Sequence, residues 1–162
     1  IRSATVCGFS PRQRLDLTVN ILTNHAYNEG VIKIFGGDQY RPNVHIDDIT
    51  DLYKNLLTID ARKISGKIYN FGAQNHKVSE IANIVKNIVK PKGGIKFEAT
   101  NDNRSYRISS EKIKTELGFT PKKSIRQAIV DLMKAFQKGL LPDPMNNSRY
   151  YNVKTMKEIN LN

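Results

Sequence analysis

The stretch Ile32–Tyr53 restricts the possible folds more than any other part of the chain. It reads Ile-Lys-Ile-Phe-Gly-Gly-Asp-Gln-Tyr-Arg-Pro-Asn-Val-His-Ile-Asp-Asp-Ile-Thr-Asp-Leu-Tyr. Ile32–Phe35 predicts a short apolar strand, and Gly36-Gly37 predicts the turn that ends it. Arg41 is expected in a polar loop just ahead of a second apolar run, Val44–Ile46. Asp47 is expected to cap the helix that follows, because its carboxylate can accept from the free N–H groups of a first turn. Strand, turn, arginine, strand and capped helix together present one guanidinium, on a rigid base, to an anionic ligand.

At 162 residues, 39% hydrophobic and 25% charged, the chain suits one domain with a real core. No apolar run approaches the length of a membrane span. One cysteine, Cys7, excludes an intramolecular disulfide and a cysteine-rich zinc site, and it fits a reducing cytoplasm as the expected location. His25, His45 and His76 stand far apart without ligand-like neighbours, so no metal site is expected, and His45 reads as a buried or loop-orienting imidazole. The formal charge of +11 favours anionic partners. Lysines scattered over helix faces and loops read as solvated surface. Arg12, Arg14, Arg41, Arg104 and Arg107 are of more interest, since they fall in polar loops or at loop edges. A planar guanidinium can grip phosphate bidentately there, although surface and ion-pair roles are equally open for each.

Along the chain, Ala4-Thr5-Val6 reads as a buried strand, so the sequence opens inside an element and is expected to be a piece of a longer fold. Leu15–Asn28 is predicted helical, with Gly30 just past its end. A helix is expected from Asp48 to about Ile59, burying Ile49, Leu52, Tyr53, Leu56 and Leu57. Ile68–Gly72 predicts a strand. Ser79 is expected to cap a helix with a wide apolar stripe that Pro91 and Gly93-Gly94 stop. Ile95–Phe97 is a further strand, Thr100–Arg107 a polar loop, and Ser109–Leu117 a short helix closed by Gly118. The last helix opens with the capping box Ser124-Ile-Arg-Gln127. Residues 142–162 are expected to form an irregular C-terminal tail.

These elements, in this order, resemble the C-terminal half of an extended short-chain dehydrogenase/reductase of the NAD-dependent nucleotide-sugar epimerase/dehydratase type. Five blocks carry the resemblance: Arg2–Gly8, Ser10–Asn20, the Ile32–Tyr53 stretch, Tyr69–Gly72, and Asp102–Tyr106 followed by Lys112–Pro121. Each block is weak alone, and the order and spacing of the five are what is specific. The resemblance implies an α/β fold, the C-terminal part of an extended Rossmann fold, with a small mixed α/β substrate-binding domain interleaved over residues 1–141. It places Asn20, Arg41 and Arg104 against the diphosphate of a nucleotide-sugar, and Lys33 and Phe35 beside the base. Thr5 and Val6 would lie where the strand passes the nicotinamide of NAD and the reacting sugar. Cys7 stands where the family usually has tyrosine, which puts the contacts of that strand in doubt.

Each assignment has a plainer alternative. Arg41 would pair with Asp38, Asp47 or Asp48, and Arg104 with Asp102. Phe35 would simply pack, Asn20 would be a solvated helix position, and Lys33 a surface lysine.

The resemblance also implies that the catalytic equipment lies upstream of residue 1. None of the ten glycines forms Gly-x-x-Gly-x-x-Gly, the cradle for dinucleotide phosphates. Tyr150 and Lys154 reproduce the spacing of a catalytic Tyr-x-x-x-Lys, but they follow the last predicted helix, on the wrong side of the fold. No catalytic residue is therefore assigned within this chain, which by itself is expected to be inactive. The intact enzyme would bind NAD and a nucleotide-diphosphate sugar, most simply as a homodimer. Alternatives are a reductase or decarboxylase on the same scaffold, or a basic nucleic-acid-binding module, for which an aromatic RNA-binding strand and a recognition helix are both lacking.

Overall fold

The computed structural model describes residues 1–100 and 104–161. Its strands are β1 (Arg2–Ser3), β2 (Thr5–Cys7), β3 (Ile32–Phe35), β4 (Tyr40–His45), β5 (Asn70–Phe71), β6 (Gln74–Lys77) and β7 (Ile95–Glu98). Its α-helices are α1 (Thr18–Asn24), α2 (Ile46–Leu56), α3 (Ala61–Ile64), α4 (Val78–Val89), α5 (Glu111–Leu117), α6 (Ile125–Gln137) and α7 (Asn152–Glu158). The class is mixed α/β. The strands form three small sheets: β1 beside β5, β3 beside β7, and β2-β4-β6 with β4 in the centre. All pairs are parallel except β4 with β6, which sets Arg41 opposite His76.

Three apolar clusters hold these parts together. Val19, Leu22, Ile34, Ile81, Val85 and Ile129 join α1, α4 and α6 to β3. Val44, Leu52, Phe71 and Ile113 pack beneath β4 and α2. Leu15, Leu132, Leu141 and Tyr150 form the third, under the C-terminal segment.

Several expectations are met residue by residue. The Ser124–Gln127 capping box is present at the start of α6. Gly30 and Gly118 end their helices at φ 71° and 70°, where a β-carbon would be strained. His45 is 2% exposed.

Other expectations are corrected. Arg41 lies on a strand rather than in a loop, because β6 pairs with Tyr40–Asn43 and extends the ladder past the apolar run. The cap of α2 is His45, whose Nδ1 accepts from the Asp47 N–H at 3.1 Å, so the helix starts at Ile46. Asp47 instead pairs with Lys123. Tyr53 and Leu57 are 52% and 88% exposed; α2 buries Asp48, Ile49 and Leu52, with Leu56 half-buried beside them. α1 begins at Thr18, three residues later than Leu15, and its last turn widens into a π-helix over His25–Glu29. α4 starts at Val78 rather than after a Ser79 cap, with the Lys77 N–H held by the Glu80 carboxylate at 3.0 Å. The tail is not irregular throughout: Ser148–Tyr150 forms a 3-10 turn and α7 follows it.

Candidate functional site

Arg41 projects from the central strand. Its Nη1 donates to the carbonyl of Tyr40 at 3.1 Å and to that of Arg104. The segment after Arg104 runs alongside β4: the Tyr40 N–H donates to Ser105 Oγ at 3.0 Å, and the Arg107 guanidinium stacks 3.7 Å from the Tyr40 ring centroid. This lateral docking sets the two arginines side by side although 63 positions separate them in the chain. The partner proposed for Arg104, Asp102, lies outside the described residues.

A cavity of about 320 Å³ opens here, within the range of ligand pockets. Lys33, Phe35, Arg41 and Arg104 all line it. Phe35 sits 53% exposed on β3, so its ring is a wall of the cavity more than a core side chain. Lys33 pairs with Glu29 at 3.2 Å. His25, Gln39 and Thr100 stand on the rim as well. Burial lowers the His25 pKa, which favours a neutral imidazole there. Nothing in the sequence pattern marks these three; His25 reaches the rim through the widened π turn, and Gln39 and Thr100 only because the chain folds back.

A second cavity, about 450 Å³, lies on the other side of the α1 N-terminus. Thr5, Val6 and Asn20 line it, with Arg12, Arg14 and Tyr106. Asn20 is 3% exposed rather than a solvated helix position. Its Oδ1 accepts from the Gly8 N–H at 3.1 Å and its Nδ2 donates to the Arg14 carbonyl at 2.8 Å. It therefore shapes the loop between β2 and α1. Gly8 adopts φ 102°, and a β-carbon there would lie 3.1 Å from His45 Nε2, so glycine lets this loop close over the imidazole. The Tyr106 ring lies 5.8 Å from the guanidinium of Arg41, which lines the other cavity. The seven candidate residues thus divide four and three between neighbouring cavities.

Cys7, one residue beyond Val6, donates its S–H to the Val44 carbonyl at 3.4 Å and is 1% exposed. Burial, reinforced by the Asp48 carboxylate, pushes its pKa up to about 12. The folded state thus keeps the thiol proton that the unfolded chain loses near pH 9, so stability should fall as pH rises from about 9 towards 12. Iodoacetamide at pH 8.5 should leave the native thiol unmodified and label it once urea unfolds the chain. Rapid labelling without denaturant would contradict this burial.

Among the described residues, no three His, Cys, Asp or Glu side chains converge as a metal site, and no helix is long and apolar enough to cross a membrane. Tyr150 is 3% exposed, and the Lys154 ammonium stacks on Tyr151, 4.4 Å from its ring centroid.

No protein-family model matches the sequence. The architecture is that of the C-terminal part of an extended short-chain dehydrogenase/reductase. The chain is similar to UDP-glucuronic acid 4-epimerase from Bacillus cereus, solved with UDP-glucuronic acid and NAD, at 21% identity and a TM-score of 0.72 over 85% of this chain and 44% of that one. An epimerase from Methanothermobacter thermautotrophicus gives 19% identity and a TM-score of 0.74, over 86% of this chain and 43% of that one. UDP-glucose 4-epimerase from Thermotoga maritima, solved with UDP-glucose, gives 25% identity and a TM-score of 0.65, over 86% and 45%. The chain therefore spans a little under half the length of these structures.

Proposed function

We propose that this chain is the nucleotide-sugar-binding portion of an NAD-dependent sugar epimerase or dehydratase. The observation that carries the reading is the convergence of Lys33, Phe35, Arg41 and Arg104 on one cavity. A diphosphate bears about two negative charges near neutrality, and two adjacent guanidiniums can hold it through paired charge-assisted hydrogen bonds. The Phe35 ring offers a face for a base at the same cavity. Binding energy gathered at the nucleotide, remote from the reacting sugar, positions that sugar for chemistry in the neighbouring cavity.

Thr5 and Val6 would border the nicotinamide end of NAD. The fit is to that end alone: both residues are half-buried on the wall of the larger cavity, while the glycine cradle for the dinucleotide phosphates is not in this sequence. When bound, NAD supplies the acceptor for a hydride from the sugar ring. This chain's part is to hold the nucleotide, orient the sugar and line the cavity where the ring sits.

Titration calorimetry with UDP tests the reading. Arg41→Ala and Arg104→Ala should each weaken binding by about 1–3 kcal/mol, and in the full-length enzyme leave NAD binding intact. The preference for UDP over ADP should persist at high salt, whereas binding through general basic charge falls steeply. Unchanged UDP affinity in both variants would sink the diphosphate clamp.

A further inference from the structure

We infer that the C-terminal segment belongs to the ligand site, as the brace that positions Arg14 between the two cavities. Arg14 lines the larger cavity and Asp16 the smaller one. The two are joined by a two-point ion pair, Nε to Oδ1 at 3.0 Å and Nη2 to Oδ2 at 3.2 Å. The Asp16 carboxylate is itself held from outside: its Oδ2 accepts the Asn152 N–H, at the first residue of α7, at 2.9 Å. The same segment fastens the loop at three further points, one of them Arg12 Nη2 donating to Asn152 Oδ1 at 3.5 Å. Arg12 Nη1 donates to the Arg149 carbonyl at 3.1 Å, and the Leu15 N–H donates to the Tyr150 carbonyl at 2.8 Å.

Tyr150, 3% exposed among Leu15 and Leu132, anchors the segment to the core. The guanidinium of Arg14 is thus fixed by a chain of contacts that begins more than 130 positions away. An arginine held in one orientation loses less freedom on gripping an anion than a mobile one. Asn152 and Asp16 act through Arg14, so they are positioning residues. The inference deepens the nucleotide-sugar reading and rests on it for the identity of the anion.

Asn152→Pro isolates the brace. The position opens a helix, where proline is tolerated, and Tyr151 before it is already extended at φ −128°, ψ 101°, so the substitution removes the N–H and little else of the backbone. Asn152→Ala keeps the N–H and controls for the side chain. With the 162-residue chain and UDP-glucose as probe, a ligand long enough to enter both cavities, Asn152→Pro should weaken binding about fivefold to tenfold. Asn152→Ala should bind like the native chain. In an Arg14→Ala background, Asn152→Pro should cost nothing more, which a general loosening of the fold would not reproduce.

A second readout needs no ligand. The Arg14 Nε–H resonance should be sharp in the native chain and broadened or lost in Asn152→Pro. UDP-glucose binding that survives Asn152→Pro unchanged overturns the brace and leaves the proposed function standing. A native chain that binds no UDP-glucose sinks that function instead, and the resonance then decides: its persistence in Asn152→Pro overturns the brace, and its loss supports it.

Discussion

Phe71→Ala is expected to destabilise the chain by about 3–5 kcal/mol, the cost of removing a large aromatic ring from a packed core. Phe71 is 1% exposed and lies among Ala4, Val44, Ile49, Leu52 and Ile113. It pairs with Ser3 in register, so its ring supports the strand that leads directly into Thr5 and Val6. The surroundings have little room to collapse onto the vacancy. A β-carbon on the neighbouring Gly72 would already approach Ile108 within 2.6 Å and Ala4 within 2.9 Å. Because a domain of this size holds only about 5–15 kcal/mol of net stability, the urea midpoint should drop steeply. Phe71→Leu, which keeps most of the volume, should lose much less. A midpoint unmoved by Phe71→Ala would mean that this cluster does not carry the fold.

Phe71 also shows what was legible from sequence. Tyr69-Asn-Phe-Gly72 reads as a strand with a turn because the pattern is local: one buried aromatic between a polar residue and a glycine. The α4 and α6 stripes and the glycine stops of α1 and α5 were readable for the same reason. β6 was not. Gln74-Asn-His-Lys77 has no strand-like alternation of apolar residues, and its extended form comes from antiparallel pairing with β4. Once β6 is missing, Arg41 is naturally placed in a loop.

The cap of α2 failed differently. An Asp following an apolar run is the usual signal, yet a neighbouring imidazole took the role through Nδ1. α7 buries no residue at all, so it left no stripe to find, and the third apolar cluster is reached through Tyr150 just before it. The grouping of the candidate ligands came from the family resemblance, since no spacing rule relates Lys33 to Arg104. The docking of residues 104–107 along β4 brings Arg104 beside Arg41, but Asn20, which the resemblance grouped with both, lines the other cavity. What the resemblance did not convey was the inward turn of Asn20, whose amide is engaged by backbone at both ends.

Asp48→Ala is expected to cost about 3 kcal/mol or more, since it removes two hydrogen bonds to a charged acceptor and leaves both donors without it. Asp48 is 7% exposed in the first turn of α2. Its Oδ1 accepts the Lys122 N–H at 3.0 Å and its Oδ2 the Lys123 N–H at 2.9 Å. A carboxylate there also faces the positive end of the helix dipole. The contact ties α2 to the turn that launches α6, and α2 follows β4 with no linker, so the same carboxylate steadies the strand that carries Arg41. Asp48→Asn retains one acceptor without the charge and should fall between alanine and the native chain. Its neighbour provides the contrast. Asp47 is exposed, and although the hydrogen bond to Lys123 lowers its pKa, an exposed ion pair contributes little, so Asp47→Ala should move the urea midpoint much less. Equal losses at the two positions would show that net charge, and not the pair of backbone contacts, holds the start of α2 in place.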